Sequence, residues 1–94
     1  MSTIDLQLCP ALAPHVRLKI DPVSSEPVLL YPEGVLILND TAHEIVQLCD
    51  GATTGAAILT NLSAQYEVDE ATLRDDVLEC LADLIGRNLL VLKS

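Results

Sequence analysis

Ninety-four residues carry a net charge of -9, from 14 acidic and 5 basic side chains. A chain of this length forms one small domain, with no room for a second domain or a large enzyme cleft. Strong net acidity opposes nucleic-acid binding, which needs clustered Lys and Arg against phosphate, while a 50% apolar content with 18 leucines opposes intrinsic disorder.

The N-terminal residues 1–13 show little periodicity and are expected to form an extended arm, leaving 14–92 as the folded domain. The opening Met1-Ser-Thr-Ile-Asp has neither a basic region nor a long apolar run, so no secretory signal is expected. No apolar run reaches membrane-spanning length. All five prolines lie in residues 1–39 and none beyond, which predicts turns and short strands first and helices afterwards.

Val16-Arg-Leu-Lys-Ile20 alternates apolar and basic residues with the period of a half-buried strand. A loop at Asp21–Pro27 follows, then a second strand at Val28–Tyr31. Tyr31-Pro-Glu-Gly34 has Pro second and Gly fourth, as a type I turn prefers. Val35–Leu38 is then a third strand, antiparallel to the second. Short sequential connections predict a three-stranded meander, with the third strand on an edge where backbone groups are unpaired.

Thr41-Ala-His-Glu44 fits a capping box for the first helix, with Asn39 and Asp40 as alternative caps. Ile45, Leu48 and Cys49 form its apolar stripe, and Asp50-Gly51 is expected to end it. Thr53 or Thr54 caps a second helix, with Ile58, Leu62 and Tyr66 recurring every four residues and Leu59 beside them. Gly55 weakens its first turn.

Asp69 is expected to cap a third helix running to about Gly86. At roughly 100° per residue, Leu73, Val77, Cys80, Leu81 and Leu84 share one face. Ala71, Leu78, Ala82 and Ile85, with Arg74 among them, widen the apolar arc to roughly 200°, about double what a one-sided surface helix needs. Either two elements pack on this helix, or one part meets the core and another lines a groove for a partner. Leu89–Leu92 closes the chain as an extended apolar segment. The order predicts an α+β, winged-helix-like domain: a three-stranded antiparallel sheet followed by three helices.

Catalytic chemistry is poorly supplied. His15 and His43 belong to no triad or metal-spaced set, and no glycine-rich phosphate loop occurs. Cys9, Cys49 and Cys80 are odd in number and widely spaced, which predicts reduced, mostly buried thiols in the cytoplasm and no metal or other cofactor. Cys9, in the arm, is the most available for a disulfide between copies. Seven acidic residues from Glu67 to Asp83 are spread around the third helix rather than set in a calcium loop. They would repel phosphate, so the winged-helix shape is not expected to read DNA. A peptide partner fits better: the third strand can recruit an extended peptide by main-chain hydrogen bonds, the third helix can form the opposite wall, and acidic rims favour basic residues in the partner.

Several segments together resemble the pyrroloquinoline quinone biosynthesis protein D family: Pro14-x-Val16-Arg-Leu, Val28-Leu-Leu-Tyr-Pro-Glu-Gly34, Leu38-Asn39-x-Thr41-Ala-x-Glu44-Ile, Leu48-Cys-Asp-Gly51, and Asp76-Val77 with Leu81-x-x-Leu84. The resemblance spans about residues 9 to 92. One departure is Thr53-Thr-Gly-Ala-Ala57, where the family often has Thr, a bulky aliphatic and an acidic residue; it bears on first-turn packing of the second helix. The resemblance implies a non-catalytic peptide chaperone, a precursor-peptide recognition element. It would present the ribosomal precursor peptide to a radical S-adenosylmethionine enzyme that links a Glu to a Tyr. It also implies a binding strip of Val35, Leu36, Ile37 and Leu38, faced by Arg74, Leu78, Ala82 and Ile85. Tyr31–Gly34 and Cys49–Gly51 are assigned structural roles as turn and helix stop. The alternative is a winged-helix dimer module acting in transcription or assembly. The arm and the unpaired edge also make strand exchange into a homodimer an expectation to test.

Overall fold

The computed structural model describes residues 4–67 and 69–93; Met1–Thr3 of the expected arm lie outside them. Within the arm, Cys9–Leu12 is a strand, β1. It is followed by β2 (Arg17–Ile20), β3 (Pro27–Tyr31), β4 (Gly34–Ile37), α1 (Asp40–Gln47), α2 (Gly55–Tyr66), α3 (Glu70–Gly86) and β5 (Leu90–Lys93). The fold is α+β, with strands β2-β3-β4 in one antiparallel sheet and β1-β5 in a second, two-stranded one. The second sheet was not foreseen because β1 contains Pro10 and is too short to show a period; it exists through its pairing with β5, Pro10 opposite Leu92 and Leu12 opposite Leu90.

The arm segment is held on three sides. Beyond β5, Ala11 bridges Asp50, and the Gly51 N–H donates to the Pro10 carbonyl at 3.0 Å. The Leu8 and Leu6 carbonyls accept from the N–H groups of Gly55 and Ala56, each at 3.0 Å. Thr54 Oγ1 accepts from the Ala57 N–H at 3.1 Å. The first three helical N–H groups of α2, which have no partner within a helix, are therefore satisfied by the arm and by the Thr54 cap. Gly55 is buried under Leu6: a Cβ there would meet Leu6 Cδ2 at 2.9 Å and Leu6 Cα at 3.3 Å. The residue that weakens the helix by propensity is what lets the arm lie across its first turn.

The core joins the inner face of the three-stranded sheet to the helices. Leu29, Ile45, Ile58, Leu62, Val77, Leu81, Leu89 and Leu90 are essentially inaccessible to solvent. Aliphatic burial of this kind supplies most of the favourable free energy. The buried stripes of the helices lie in this core, whereas Tyr66, at the last turn of α2, and Ala71 and Ala82, in the widened arc of α3, are exposed.

Caps and ends differ in detail from the expectation. Asn39, rather than Thr41, caps α1, its Oδ1 accepting from the Ala42 N–H at 2.7 Å. That helix ends at Gln47, before Asp50-Gly51, because Leu48 and Cys49 turn their N–H groups back to Ile45 and Val46. Gly51, with φ near +79°, instead swings the chain out toward β1. Asp69 stands at the N-cap of α3, but its carboxylate accepts from Thr72 Oγ1 at 3.4 Å rather than from the backbone.

Candidate functional site

The register of the sheet decides which backbone groups are free. Leu38 donates its N–H to the Pro27 carbonyl at 2.9 Å, and Asp21 donates to Glu26 at 2.9 Å. In an antiparallel ladder, hydrogen-bonded and non-bonded pairs alternate. The β3–β4 register, with Leu29 opposite Leu36 and Val28 opposite Ile37, then makes Leu29–Leu36 a bonded pair. Val28–Ile37 and Leu30–Val35 are non-bonded pairs. Val35 and Ile37 consequently turn both N–H and C=O away from β3, toward the open edge, where strand order places no further strand. Side chains alternate with the same period. Leu36 and Leu38 turn inward, Leu38 buried and Leu36 packed on the core, while Val35 and Ile37 are 52% and 59% exposed.

Beside this edge lies a cleft of about 610 Å³ between β4, the start of α1 and α3. Leu36, Ile37 and Leu38 line one side, Asn39, Thr41 and Ala42 one end, and Asp76, Glu79, Cys80, Asp83 and Leu84 the helical wall. A smaller pocket of about 240 Å³ shares Thr41 and Asp76 with it and adds Tyr66, Thr72 and Leu73. In this wall Leu84 is buried and Cys80 half-buried, while Asp76, Glu79 and Asp83 are exposed. Asp83 is partly offset by Arg87, whose Nε lies 3.1 Å from Asp83 Oδ2.

Of the expected strip, Leu36, Ile37 and Leu38 line the cleft, and Val35 precedes them on the same edge. Arg74, Leu78, Ala82 and Ile85 do not line it. Each follows by one residue a buried member of α3: Leu73, Val77, Leu81 or Leu84. Asp76, Cys80 and Asp83 instead precede Val77, Leu81 and Leu84 by one. At roughly 100° per residue these sets occupy opposite flanks of the buried stripe. The helix turns its acidic flank to β4 and its more apolar flank away. The wall implied by the family resemblance is the more apolar flank, whereas the cleft is lined by Asp76, Glu79 and Asp83, whose charge reads in the sequence as solvated surface, with the half-buried Cys80 between them.

Burial pushes the Cys80 thiol up to about 11, with the Asp83 carboxylate adding to it. Burial, then Cys80 and Asp50, push Cys49 up to about 12, and Cys49 donates its S–H to the Ile45 carbonyl at 3.2 Å. Both are neutral thiols at neutral pH and poor nucleophiles. All three cysteines are free. Partial desolvation beside the pocket, and then the charges of Glu44 and Asp40, hold the exposed Tyr66 phenol above its ordinary range, so the small pocket also sits in a negative field. Among the described residues no group of three or more His, Cys, Asp or Glu side chains is placed to hold a metal ion, and no helix is long and apolar enough to cross a membrane. What the cleft offers chemically is recognition: unpaired main-chain donors and acceptors, a short apolar wall and a negative rim.

The family model described as Coenzyme PQQ synthesis protein D (PqqD) matches residues 26–90. A PqqA binding protein of Rhodopseudomonas palustris (strain ATCC BAA-98 / CGA009) is 44% identical over 81 residues, covering 86% of this chain and 79% of that protein. A PqqA binding protein of Xanthomonas campestris pv. campestris (strain 8004) is 39% identical over 90 residues, covering 96% and 98%. Among solved structures, the PqqD truncation of Methylobacterium extorquens PqqCD, described as a functional and stand-alone recognition element for ribosomally synthesised and modified peptides, superposes with a TM-score of 0.74. It is 36% identical, with 87% of each chain covered. PqqD from Xanthomonas campestris gives a TM-score of 0.56 at 38% identity, covering 93% of this chain and 98% of that one.

Proposed function

The chain belongs to the Coenzyme PQQ synthesis protein D (PqqD) family, and on that premise we propose that it is a non-catalytic adaptor of pyrroloquinoline quinone biosynthesis that binds the ribosomal precursor peptide. Relatives at 39% and 44% identity are named for binding PqqA, and a structural neighbour at 36% is described as a peptide recognition element. The observation in this chain that carries the reading is the open edge of β4 above a cleft walled by α3. A peptide strand laid along Val35–Ile37 finds two N–H and two C=O groups, and its inward side chains meet Leu36, Leu38, Cys80 and Leu84. Strand addition of this kind draws affinity from the main chain and selectivity from alternate side chains. Asp76, Glu79 and Asp83 at the rim favour basic residues in the peptide and speed its approach.

The adaptor works in the cytoplasm, where free thiols persist, and presents the held peptide to a radical S-adenosylmethionine enzyme for Glu–Tyr cross-linking. The chain itself supplies no group to that chemistry. Titration of the precursor peptide into isotopically labelled protein, followed by backbone amide shifts, tests the assignment. Residues 35–38 and 76–84 should shift first and furthest. If they stay unmoved at saturating peptide while the flank at Arg74, Leu78, Ala82 and Ile85 responds, the cleft is not the peptide site.

A further inference from the structure

The outer face of the three-stranded sheet is unlike the rest of the surface. Register and alternation place two rows across it: Arg17, Leu30 and Val35 in one, and Lys19, Val28 and Ile37 in the other. Each row starts with a cation on β2 and ends with an exposed β-branched residue on β4. Leu30, Val35 and Ile37 are 38%, 52% and 59% exposed, and Val28 at their centre is buried without belonging to the main core. Two of the five basic residues of a chain with net charge -9 stand on this one face. A contiguous apolar surface edged by charge marks an interaction site. The cations specify the opposite sign on the other side, since matched charge at an interface rim selects the partner.

The same two residues that present their backbone to the edge, Val35 and Ile37, present their side chains to this face. A peptide strand added along β4 would lie about 4.8 Å away and continue both rows with every second side chain. We propose that the outer sheet face docks a folded protein whose contact patch is apolar at its centre and acidic at its rim, and that the bound peptide extends this face. The partner therefore distinguishes the loaded from the empty domain. The composite surface rests on the peptide-binding reading above; the charge-matched docking face does not. Coupling between the two ligands is reciprocal, so the partner also tightens peptide binding by the same factor.

The radical S-adenosylmethionine enzyme of the pathway is the partner to use as probe, with affinities measured by calorimetry on the full chain. In the double variant Arg17→Glu, Lys19→Glu, enzyme binding should weaken at least tenfold while precursor-peptide binding stays within twofold. The control Lys93→Glu, Asn61→Asp, Gln65→Glu makes an equal change in net charge at exposed positions elsewhere and should leave enzyme binding within threefold. The peptide-loaded chain should bind the enzyme at least fivefold more tightly than the empty chain. On unmodified protein, methyl signals of Leu30, Val35 and Val28 should broaden on adding enzyme. Enzyme binding that is unchanged in the folded double variant, or broadening confined to the helices, overturns the docking face. Equal affinity for loaded and empty chain overturns the composite surface. Failure of the peptide to bind the unmodified chain refutes the peptide reading, and the charge-reversal result still decides the docking face.

Discussion

Proline at two adjacent positions of β4 should have opposite consequences. The Ile37 N–H points to the open edge, so Ile37→Pro breaks no bond to β3. Proline is tolerated on edge strands where the missing N–H faces solvent, and Ile37 already leaves most of its side chain in solvent. The melting temperature should stay within about 3 °C of wild type, less than the shift of about 4–8 °C that 1 kcal/mol causes in a small domain. Peptide binding should suffer. Val35 and Ile37 offer four main-chain hydrogen bonds, each worth about 0.5–1.5 kcal/mol net. The variant removes one donor, and the ring obstructs a neighbouring contact, for a loss of about 1–3 kcal/mol. That is roughly 5- to 150-fold in Kd. Leu36→Pro should behave oppositely. Its N–H belongs to the bonded pair with Leu29, a fully buried residue. Leaving the Leu29 carbonyl unpaired costs about 1–3 kcal/mol, lowering the melting temperature by about 5–20 °C. Fluorescence anisotropy with labelled precursor peptide and thermal melts by circular dichroism measure both quantities. An Ile37→Pro protein that melts and binds like wild type would refute the edge argument, as would a Leu36→Pro protein of unchanged stability.

Three other outcomes follow from the packing. Cys80 lines the cleft, so saturating peptide should slow its alkylation at least tenfold, read by mass spectrometry, while Cys9 is unaffected. Gly55→Ala should lower stability by about 1–2 kcal/mol, although propensity alone favours Ala by about 1 kcal/mol, because the Cβ collides with Leu6; a rise in melting temperature would show that the arm is not seated there. Burial raises Cys49 and Cys80 in the folded state to about 12 and about 11, above the ordinary thiol value. Their contribution should therefore be complete below pH 9 and decline between pH 9 and 12, as the unfolded chain loses those protons first. Chemical denaturation from pH 8 to 10.5 should show that decline, and Cys49→Ala, Cys80→Ala should flatten it.

Much of the fold was written in local pattern. The alternation at Val16–Ile20, the turn residues Pro32 and Gly34, and the recurrence of Ile58, Leu59 and Leu62 each act within a few residues, so they identify strands and helices without the rest of the chain. Strand β1 was hidden because its structure depends on β5, some 80 residues on, and Gly55 read as a weakness because Leu6 is distant in sequence. The helical wall of the cleft shows the limit most clearly. Periodicity established that α3 has a buried stripe with two flanks, one acidic and one more apolar, but a helical period carries no information on which flank faces a distant strand. Which flank meets β4 depends on how α3 seats against the sheet and α2. That packing put Asp76, Glu79, Cys80 and Asp83 in the cleft, and Arg74, Leu78, Ala82 and Ile85 away from it.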